Sequence, residues 1–179
     1  RFLMMQAWGK GAQQLSRLAQ TLQHDPPYRI PGTAVFFTLA DTAPPYVLRH
    51  LQCHRTLQAE AVFLTVTAHD VPRIQTLERL QVYSIARGIT RVIVNYGYMQ
   101  TPNIPVALKL CETLGLTLDL DHATYYVGRQ TVIADPDIEG MMLWREHLFA
   151  FLQLNALPAT TFYQLPPGDV VELGFQVSI

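Results

Sequence analysis

Apolar residues recur along this chain with two spacings, one typical of helices and one typical of buried strands. Over residues 12–23 they fall every three or four positions, which predicts a helix with one apolar stripe, and Asp25-Pro26-Pro27 would end it. Residues 33–39 and 61–67 are short runs rich in β-branched and aromatic side chains, which predicts strands buried on both faces. Because a helix beginning at Pro44-Pro45 would lie between them, we predict a parallel pair joined by a right-handed crossover.

The second half of the chain adds a hairpin and further helices and strands to this prediction. Residues 79–85 and 89–98 are strand-like and are separated only by Ala86-Arg87-Gly88, which indicates an antiparallel hairpin. Thr101-Pro102 or Asn103 can cap a helix that closes at Gly115. The remaining predicted elements are a strand at 124–133, a long helix at 140–154 buried on two sides and preceded by an N-cap at Asp135-Pro136, and a closing strand at 170–177.

The composition limits what such a chain can do. Of its 179 residues, 49% are hydrophobic and 15% are charged, against about 25% charged in an average soluble protein. A chain this apolar with a net charge of −1 can offset the entropy of folding, which excludes intrinsic disorder. Lys10 and Lys109 are its two lysines and the arginines are scattered singly, which disfavours a nucleic-acid partner because phosphates need a basic stripe.

The charges are divided unevenly between the two halves. Residues 1–90 carry nine Arg or Lys and five Asp or Glu, whereas residues 91–179 carry four and nine. The basic start also holds the apolar cluster Phe2-Leu3-Met4-Met5 and Trp8, a combination typical of the segment that follows a membrane span on its cytoplasmic side. We therefore expect an α/β fold with a mixed parallel and antiparallel sheet and crossover helices. Its predicted division is a juxtamembrane amphipathic helix and linker at 1–27 and a cytoplasmic domain at 28–179.

Two of the histidines and the two cysteines are candidate metal ligands. His50 and His54 are four residues apart on the first predicted crossover helix, which is the spacing of a zinc pair. Neither Asp nor Glu lies between them, so we interpret them as polar histidines of a helix surface and expect no metal site. Cys53 and Cys111 lack CxxC spacing, which favours reduced thiols and leaves a disulfide as the alternative.

The candidate ligand site follows the two predicted parallel strands. In open α/β sheets, ligands bind beyond the carboxyl ends of parallel strands. Thr38, Thr65, Thr67, His69 and Asp70 could therefore line a crevice for a nucleotide-like ligand. The alternative is that Asp70 only begins a turn with an Asx interaction, since no glycine-rich phosphate loop follows either strand.

The other polar clusters do not assemble a catalytic centre. Acidic residues lie on two predicted loops and are interpreted as solvated carboxylates and a helix cap: Asp119, Asp121, Asp135, Asp137 and Glu139. No serine stands in a GxSxG elbow, so we expect no enzyme and no cofactor. The aromatic tracts Tyr96-Gly97-Tyr98 and Tyr125-Tyr126 could stack on a base or form cross-strand core pairs, and the sequence leaves both open.

Several segments together resemble one family of membrane transport proteins. Characteristic stretches are Arg29-Ile30-Pro31-Gly32-Thr33, Tyr96-Gly97-Tyr98-Met99 and Leu165-Pro166-Pro167-Gly168-Asp169. The other segments that carry the likeness are 34–38, 50–57, 62–66, 70–73, 91–92, 125–131, 143–150, 155–156 and 170–174. The chain resembles, from Arg29 to Ile179, the cytoplasmic C-terminal domain of the Kup/HAK/KT potassium uptake transporters. It departs from the family pattern around 51–55, where the family usually has a lysine, at Gln130, where the family usually has an acidic residue, and at Gly168-Asp169, where Asn-Arg is more usual.

The resemblance implies a place and a role for the chain. It implies a secondary transporter that imports K⁺ together with H⁺ through a membrane part outside this chain, so no transport-site residue is expected here. The domain would lie at the cytoplasmic face of the bacterial inner membrane and serve regulation or dimerisation, with the transmembrane part and a second copy as partners. Some relatives respond to cyclic di-AMP, which makes sensing of that nucleotide, or of ATP or AMP, the alternative function.

Overall fold

The computed structural model describes residues 13–39, 41–133 and 158–178. Its strands are β1 (Gln13–Gln14), β2 (Tyr28–Thr38), β3 (Thr42–Ala43), β4 (Thr56–His69), β5 (Leu80–Ala86), β6 (Ile89–Gly97), β7 (Ala123–Ile133) and β8 (Val170–Ser178). Its helices are α1 (Leu15–His24), α2 (Pro45–His54), α3 (Ile104–Leu110) and α4 (Ala159–Phe162), with 3₁₀ turns at Thr76–Glu78, Cys111–Leu114 and Pro167–Asp169. The predicted long helix at 140–154 and the cap at Asp135-Pro136 lie outside the described residues.

The central sheet has six strands in the order β5-β6-β4-β2-β7-β8. All neighbours pair in parallel except β5, which forms an antiparallel hairpin with β6. The predicted α/β fold with a mixed sheet is therefore confirmed, as are the crossover from β2 to β4 and the hairpin. A second sheet of two short antiparallel strands joins β1 to β3.

Both faces of the central sheet are buried, which explains why its inner strands are continuous apolar runs rather than alternating ones. One face, called the α3 face, carries Val35, Leu64 and Val92 and packs against residues of α3. The opposite face, called the α1–α2 face, carries Phe36 and Phe63 and packs against residues of α1 and α2.

The helices α1 and α2 begin on the side of the sheet where the parallel strands end. The backbone N–H of Leu15 donates to the carbonyl of Asp41, just after β2, at 3.3 Å. The other end of α1 lies near the amino end of β2, because Leu22 and Asp25 line a cleft of 460 Å³ together with Tyr28, the first residue of β2. The helix α2 likewise follows the carboxyl end of β2 and ends just before β4 begins, so both helices run antiparallel to the strands that they cover.

The first helix has the apolar stripe that its spacing predicts. Leu15, Leu18 and Ala19 are buried in the α1–α2 face of the sheet. The division at residues 1–27 and 28–179, with its juxtamembrane role for the first part, stays a prediction. Among the described residues no helix is long and apolar enough to cross a bilayer.

Candidate ligand site at the carboxyl edge of the sheet

The register of the parallel strands places the predicted site residues at one edge of the sheet. Thr38, the last residue of β2, pairs with Thr65 of β4. Beyond that level β4 continues to His69, paired throughout with β6, so that Thr67 lies opposite Asn95 and His69 opposite Gly97. Because alternate residues of one strand point to the same side, Thr65, Thr67 and His69 share the α1–α2 face with Phe63.

Two of the predicted residues bond to each other. The hydroxyl oxygens of Thr38 and Thr65 are 2.9 Å apart, and the two residues are only 5% and 6% exposed. A buried hydroxyl needs a hydrogen-bond partner, and this contact supplies one for each. The hydrogen bond between Thr38 and Thr65 therefore links β2 to β4 at the level where β2 ends.

The outer part of the edge has a polar pair that joins β4 to β6. The Nε2 atom of His69 lies 2.9 Å from Oδ1 of Asn95. Because a carbonyl oxygen only accepts, Nε2 is the donor in this contact. His69 is exposed, whereas Asn95 is buried. Sequence reasoning missed Asn95, although its position opposite Thr67 follows once β4 and β6 are known to pair in parallel.

Asp70 lies apart from this pair, in the exposed bend that follows β4. Within the described part of the chain its carboxylate makes no hydrogen bond or ion pair. The Asx interaction that the alternative interpretation requires is thus not seen among those residues.

A further polar residue on this side of the sheet is Arg91, on the same face of β6 as Asn95. Its Nη1 atom lies 3.1 Å from Oδ1 of Asp41, and its side chain is 20% exposed. The Nε atom is buried and has no hydrogen-bond partner among the described residues. Arg91 therefore contributes a guanidinium cation that pairs with Asp41 through Nη1, whereas its Nε atom makes no hydrogen bond to a described residue.

Taken as a whole, the edge offers several hydrogen-bonding groups on one face. Thr67 supplies a half-buried hydroxyl, His69 an exposed ring and Asn95 a side-chain amide. These groups suit a polar ligand with donors and acceptors, such as a nucleobase or a ribose. They do not form a phosphate cradle, which takes consecutive backbone N–H groups in a glycine-rich loop.

The histidine pair on α2 has the geometry that its spacing predicts. The rings of His50 and His54 lie with their centroids 4.9 Å apart. His50 also packs against Tyr126 at 5.4 Å, and burial, reinforced by the charge of His54, lowers the pKa of His50. Among the described residues no group of three His, Cys, Asp or Glu side chains could hold a metal ion.

The remaining candidates behave as structural or surface groups. Tyr126 stacks on Phe36 with ring centroids 4.7 Å apart, which favours the core-pair interpretation of that aromatic tract. Asp119 bonds to His122 at 3.0 Å on an exposed turn, and that bond lowers the pKa of the carboxyl. Asp135, Asp137 and Glu139 lie outside the described residues. Cys53 is exposed and Cys111 is buried, and both are free thiols.

Comparison with known proteins gives a consistent result over the whole chain. A family profile described as "K+ potassium transporter C-terminal domain" matches residues 31–179. A probable potassium transport system protein Kup of Nitrosomonas eutropha is 44% identical over 100% of this chain and 28% of its own length. Similar proteins of Geobacter sulfurreducens and Pseudomonas putida are 43% and 39% identical over 99% of this chain and 30% of their own. No solved structure matches.

Proposed function

Because the chain belongs to the Kup family of potassium transporters and matches their C-terminal domain, we propose that it is the cytoplasmic regulatory and dimerisation domain of one. The transporter would be a secondary importer that couples K⁺ uptake to H⁺. The observation that carries the proposal is the match of residues 31–179 to that C-terminal domain. The chain spans only 28% to 30% of its relatives' length, and in this proposal the ion path lies in the rest of the protein.

The test removes residues 13–179 from the full-length transporter, so that α1 and the sheet it covers leave together. Uptake of K⁺ is measured in cells that lack other K⁺ importers, and the amount of transporter in the membrane is measured in parallel. We expect truncation to alter the regulation of uptake and to convert the purified dimer to a monomer. Unchanged uptake, regulation and dimerisation at equal abundance would refute the proposal.

The sheet edges support a role in dimerisation. The edge strand β5 is interrupted by a register shift between Ser84 and Ala86, a feature that discourages pairing with another chain. The other edge strand among the described residues, β8, pairs with β7 in unbroken register from Val170 to Ser178 and has no second described strand on its outer side. We assign the contact between two copies to this edge of β8.

A matched pair of variants tests that assignment in the full-length protein. Val171 on β8 is 38% exposed and Tyr83 on β5 is 50% exposed. Val171→Lys should raise the monomer fraction seen by light scattering, because a lysine at a pairing edge opposes association. Tyr83→Lys should leave the dimer unchanged, and equal behaviour of the two variants would exclude the β8 edge.

A second candidate function is sensing of a nucleotide, and the grouping of Thr67, His69 and Asn95 at the carboxyl edge favours it. Cyclic di-AMP, ATP and AMP would be titrated into this chain by calorimetry. His69→Ala and Asn95→Ala should weaken binding at least tenfold, whereas His122→Ala, on an exposed turn before β7, should not. No heat at millimolar ligand would end this candidate.

A further inference from the structure

Three large apolar side chains are exposed together where β4 and β6 end. Val71 follows β4, and Tyr98 and Met99 follow β6, with exposed fractions of 45%, 65% and 64%. The two segments touch, because the N–H of Tyr98 donates to the carbonyl of Val71 at 2.9 Å. We call Val71, Tyr98 and Met99 the apolar tip.

The backbone beneath the apolar tip is held firmly. The side-chain oxygen of Gln100 accepts from the N–H of Ile74 at 3.0 Å and from that of Gly97 at 2.9 Å. The amide nitrogen of Gln100 donates back to the carbonyl of Ile74 at 3.1 Å. One side chain therefore ties the two loops together, so the tip presents its apolar groups in one arrangement and loses little entropy on contact.

Gly97 lets the two loops approach this closely. A Cβ atom at that position would lie 2.4 Å from the carbonyl oxygen of Pro72 and 2.6 Å from the backbone nitrogen of Arg73. The motif Tyr96-Gly97-Tyr98-Met99 thus combines a buried tyrosine, a close backbone contact and two exposed apolar residues. Neither the core nor the candidate ligand site uses Tyr98 or Met99.

The apolar tip lies on the side of the sheet where the preceding chain joins the fold. The first described strand, β1, pairs with β3, which follows the carboxyl end of β2. Past the level of Thr38, strands β4 and β6 continue for four more residues, which at about 3.3 Å per residue projects the tip roughly 13 Å further. The tip is therefore an outward projection on the side from which the chain arrives.

We propose that the apolar tip docks onto the part of the same transporter that precedes this chain. The inference rests on the proposed function, since the chain matches a C-terminal domain and spans 28% to 30% of its relatives, which leaves most of such a protein on the N-terminal side. Aromatic residues and methionine are enriched at the centres of protein interfaces. The docked tip would transmit a change in the domain to the transport part.

The charges around the tip favour a polypeptide over a lipid surface. The loop after β4 holds two acidic and two basic residues (Asp70, Arg73, Glu78 and Arg79), and residues 97–103 hold no charged side chain, so the local net charge is zero. Segments that bind the anionic cytoplasmic leaflet carry clusters of Lys and Arg. A neutral tip on a firmly held loop fits an apolar recess of another protein part.

The test places a photo-crosslinking amino acid at position 98 of the full-length transporter in its native membrane. Leu114 supplies the matched control position, because it is 53% exposed and lies in the turn after α3 that leads back to the amino ends of the strands. Adducts are mapped by peptide mass spectrometry. We expect crosslinks from position 98 to peptides N-terminal to this chain, with a yield at least fivefold above that from position 114. Adducts mainly to lipid, adducts to the C-terminal domain of a second copy, or equal yields would overturn the inference.

A functional comparison separates this inference from the proposed function. The double variant Tyr98→Ser/Met99→Ser should reproduce the regulatory defect of the truncated transporter, whereas Leu114→Ser should behave as wild type. Thermal unfolding should be unchanged in both, since exposed side chains contribute little to stability. If truncation alters uptake but the double variant does not, the docking inference fails and the proposed function stands. If truncation itself has no effect, the proposed function fails, and the crosslinks still report where the tip lies.

Discussion

The side chains of His69 and Asn95 join the carboxyl-terminal ends of the parallel strands β4 and β6 through a 2.9 Å contact between Nε2 and Oδ1. The contact ties the outer ends of β4 and β6 beyond the point where β2 stops. A double-mutant cycle with His69→Ala and Asn95→Ala should give a coupling free energy of about 0.5–1.5 kcal/mol in urea unfolding. Asn95→Ala alone should cost more than His69→Ala, because Asn95 is buried and His69 is exposed. Strictly additive effects would show that the bond is not formed in solution.

Gly97→Ala should destabilise the fold, because its new methyl group would lie 2.4 Å from the carbonyl oxygen of Pro72. Overpacking of this kind costs about 1–3 kcal/mol, measured as a lowered midpoint of chemical unfolding. The control is Gly174→Ala, because no atom of the described residues lies within 4 Å of the added Cβ there. Equal stability of the two variants would contradict the close approach of the two loops.

Tyr126→Phe should lower the free energy of unfolding by about 1–2 kcal/mol, because it leaves the buried side-chain N–H of Gln58 without an acceptor. The amide nitrogen of Gln58 donates to the Tyr126 hydroxyl at 2.9 Å, and both residues are buried. Adding Gln58→Met to Tyr126→Phe should recover much of this cost, since it removes the donor left without an acceptor and a buried Oε1 atom that has no partner among the described residues. The control Tyr83→Phe removes an exposed bond to Gln81 and should change stability by less than about 0.5 kcal/mol.

Stability should fall as the pH is lowered below about 6.5, the pKa of an unperturbed histidine. Burial, and then the charge of His54, lowers the pKa of His50 in the folded chain. The unfolded state therefore takes up a proton first, and stability is lost between the unfolded pKa and the lower folded pKa. Urea unfolding at pH 7.5 and 5.5 should show a smaller difference for His50→Gln than for wild type. His24→Gln, on the exposed end of α1, should keep the full difference.

One thiol per native chain should react with a thiol reagent such as Ellman's reagent, and two should react after unfolding. Cys53 is exposed on α2, whereas Cys111 is buried. Burial raises the pKa of the Cys111 thiol to about 11, and its Sγ donates to the carbonyl of Ala107 at 3.5 Å. Because the thiolate is the reactive form, Cys111 is protected from the reagent both by its burial and by its raised pKa. Cys53→Ser should abolish labelling of the native chain, and fast labelling of that variant would disprove the burial of Cys111.

The local elements follow from the sequence to within a few residues, because side-chain periodicity reports directly on helix and strand. The β2 and β4 strands, the crossover helix between them and the β5–β6 hairpin all appear where the pattern predicts them. Of the caps considered for α3, the structure uses Asn103, whose Oδ1 accepts from the N–H of Val106 at 3.0 Å. The predicted strands were shorter than the observed ones, since Tyr28–Ile30 and Thr56–Glu60 extend β2 and β4 at their amino ends.

The tertiary structure decided which polar residues meet. Periodicity shows that Thr38, Thr65 and His69 follow buried strands, but it does not show that the two threonines bond to each other or that Asn95 lies beside His69. These contacts depend on strand order and register, which long-range packing sets and which no local spacing encodes. The position of the apolar tip, on the side of the sheet where β1 pairs with β3, also depends on strand order and register. The sequence by itself determined the family and the elements, and only the assembled sheet determined the sites that its edge presents.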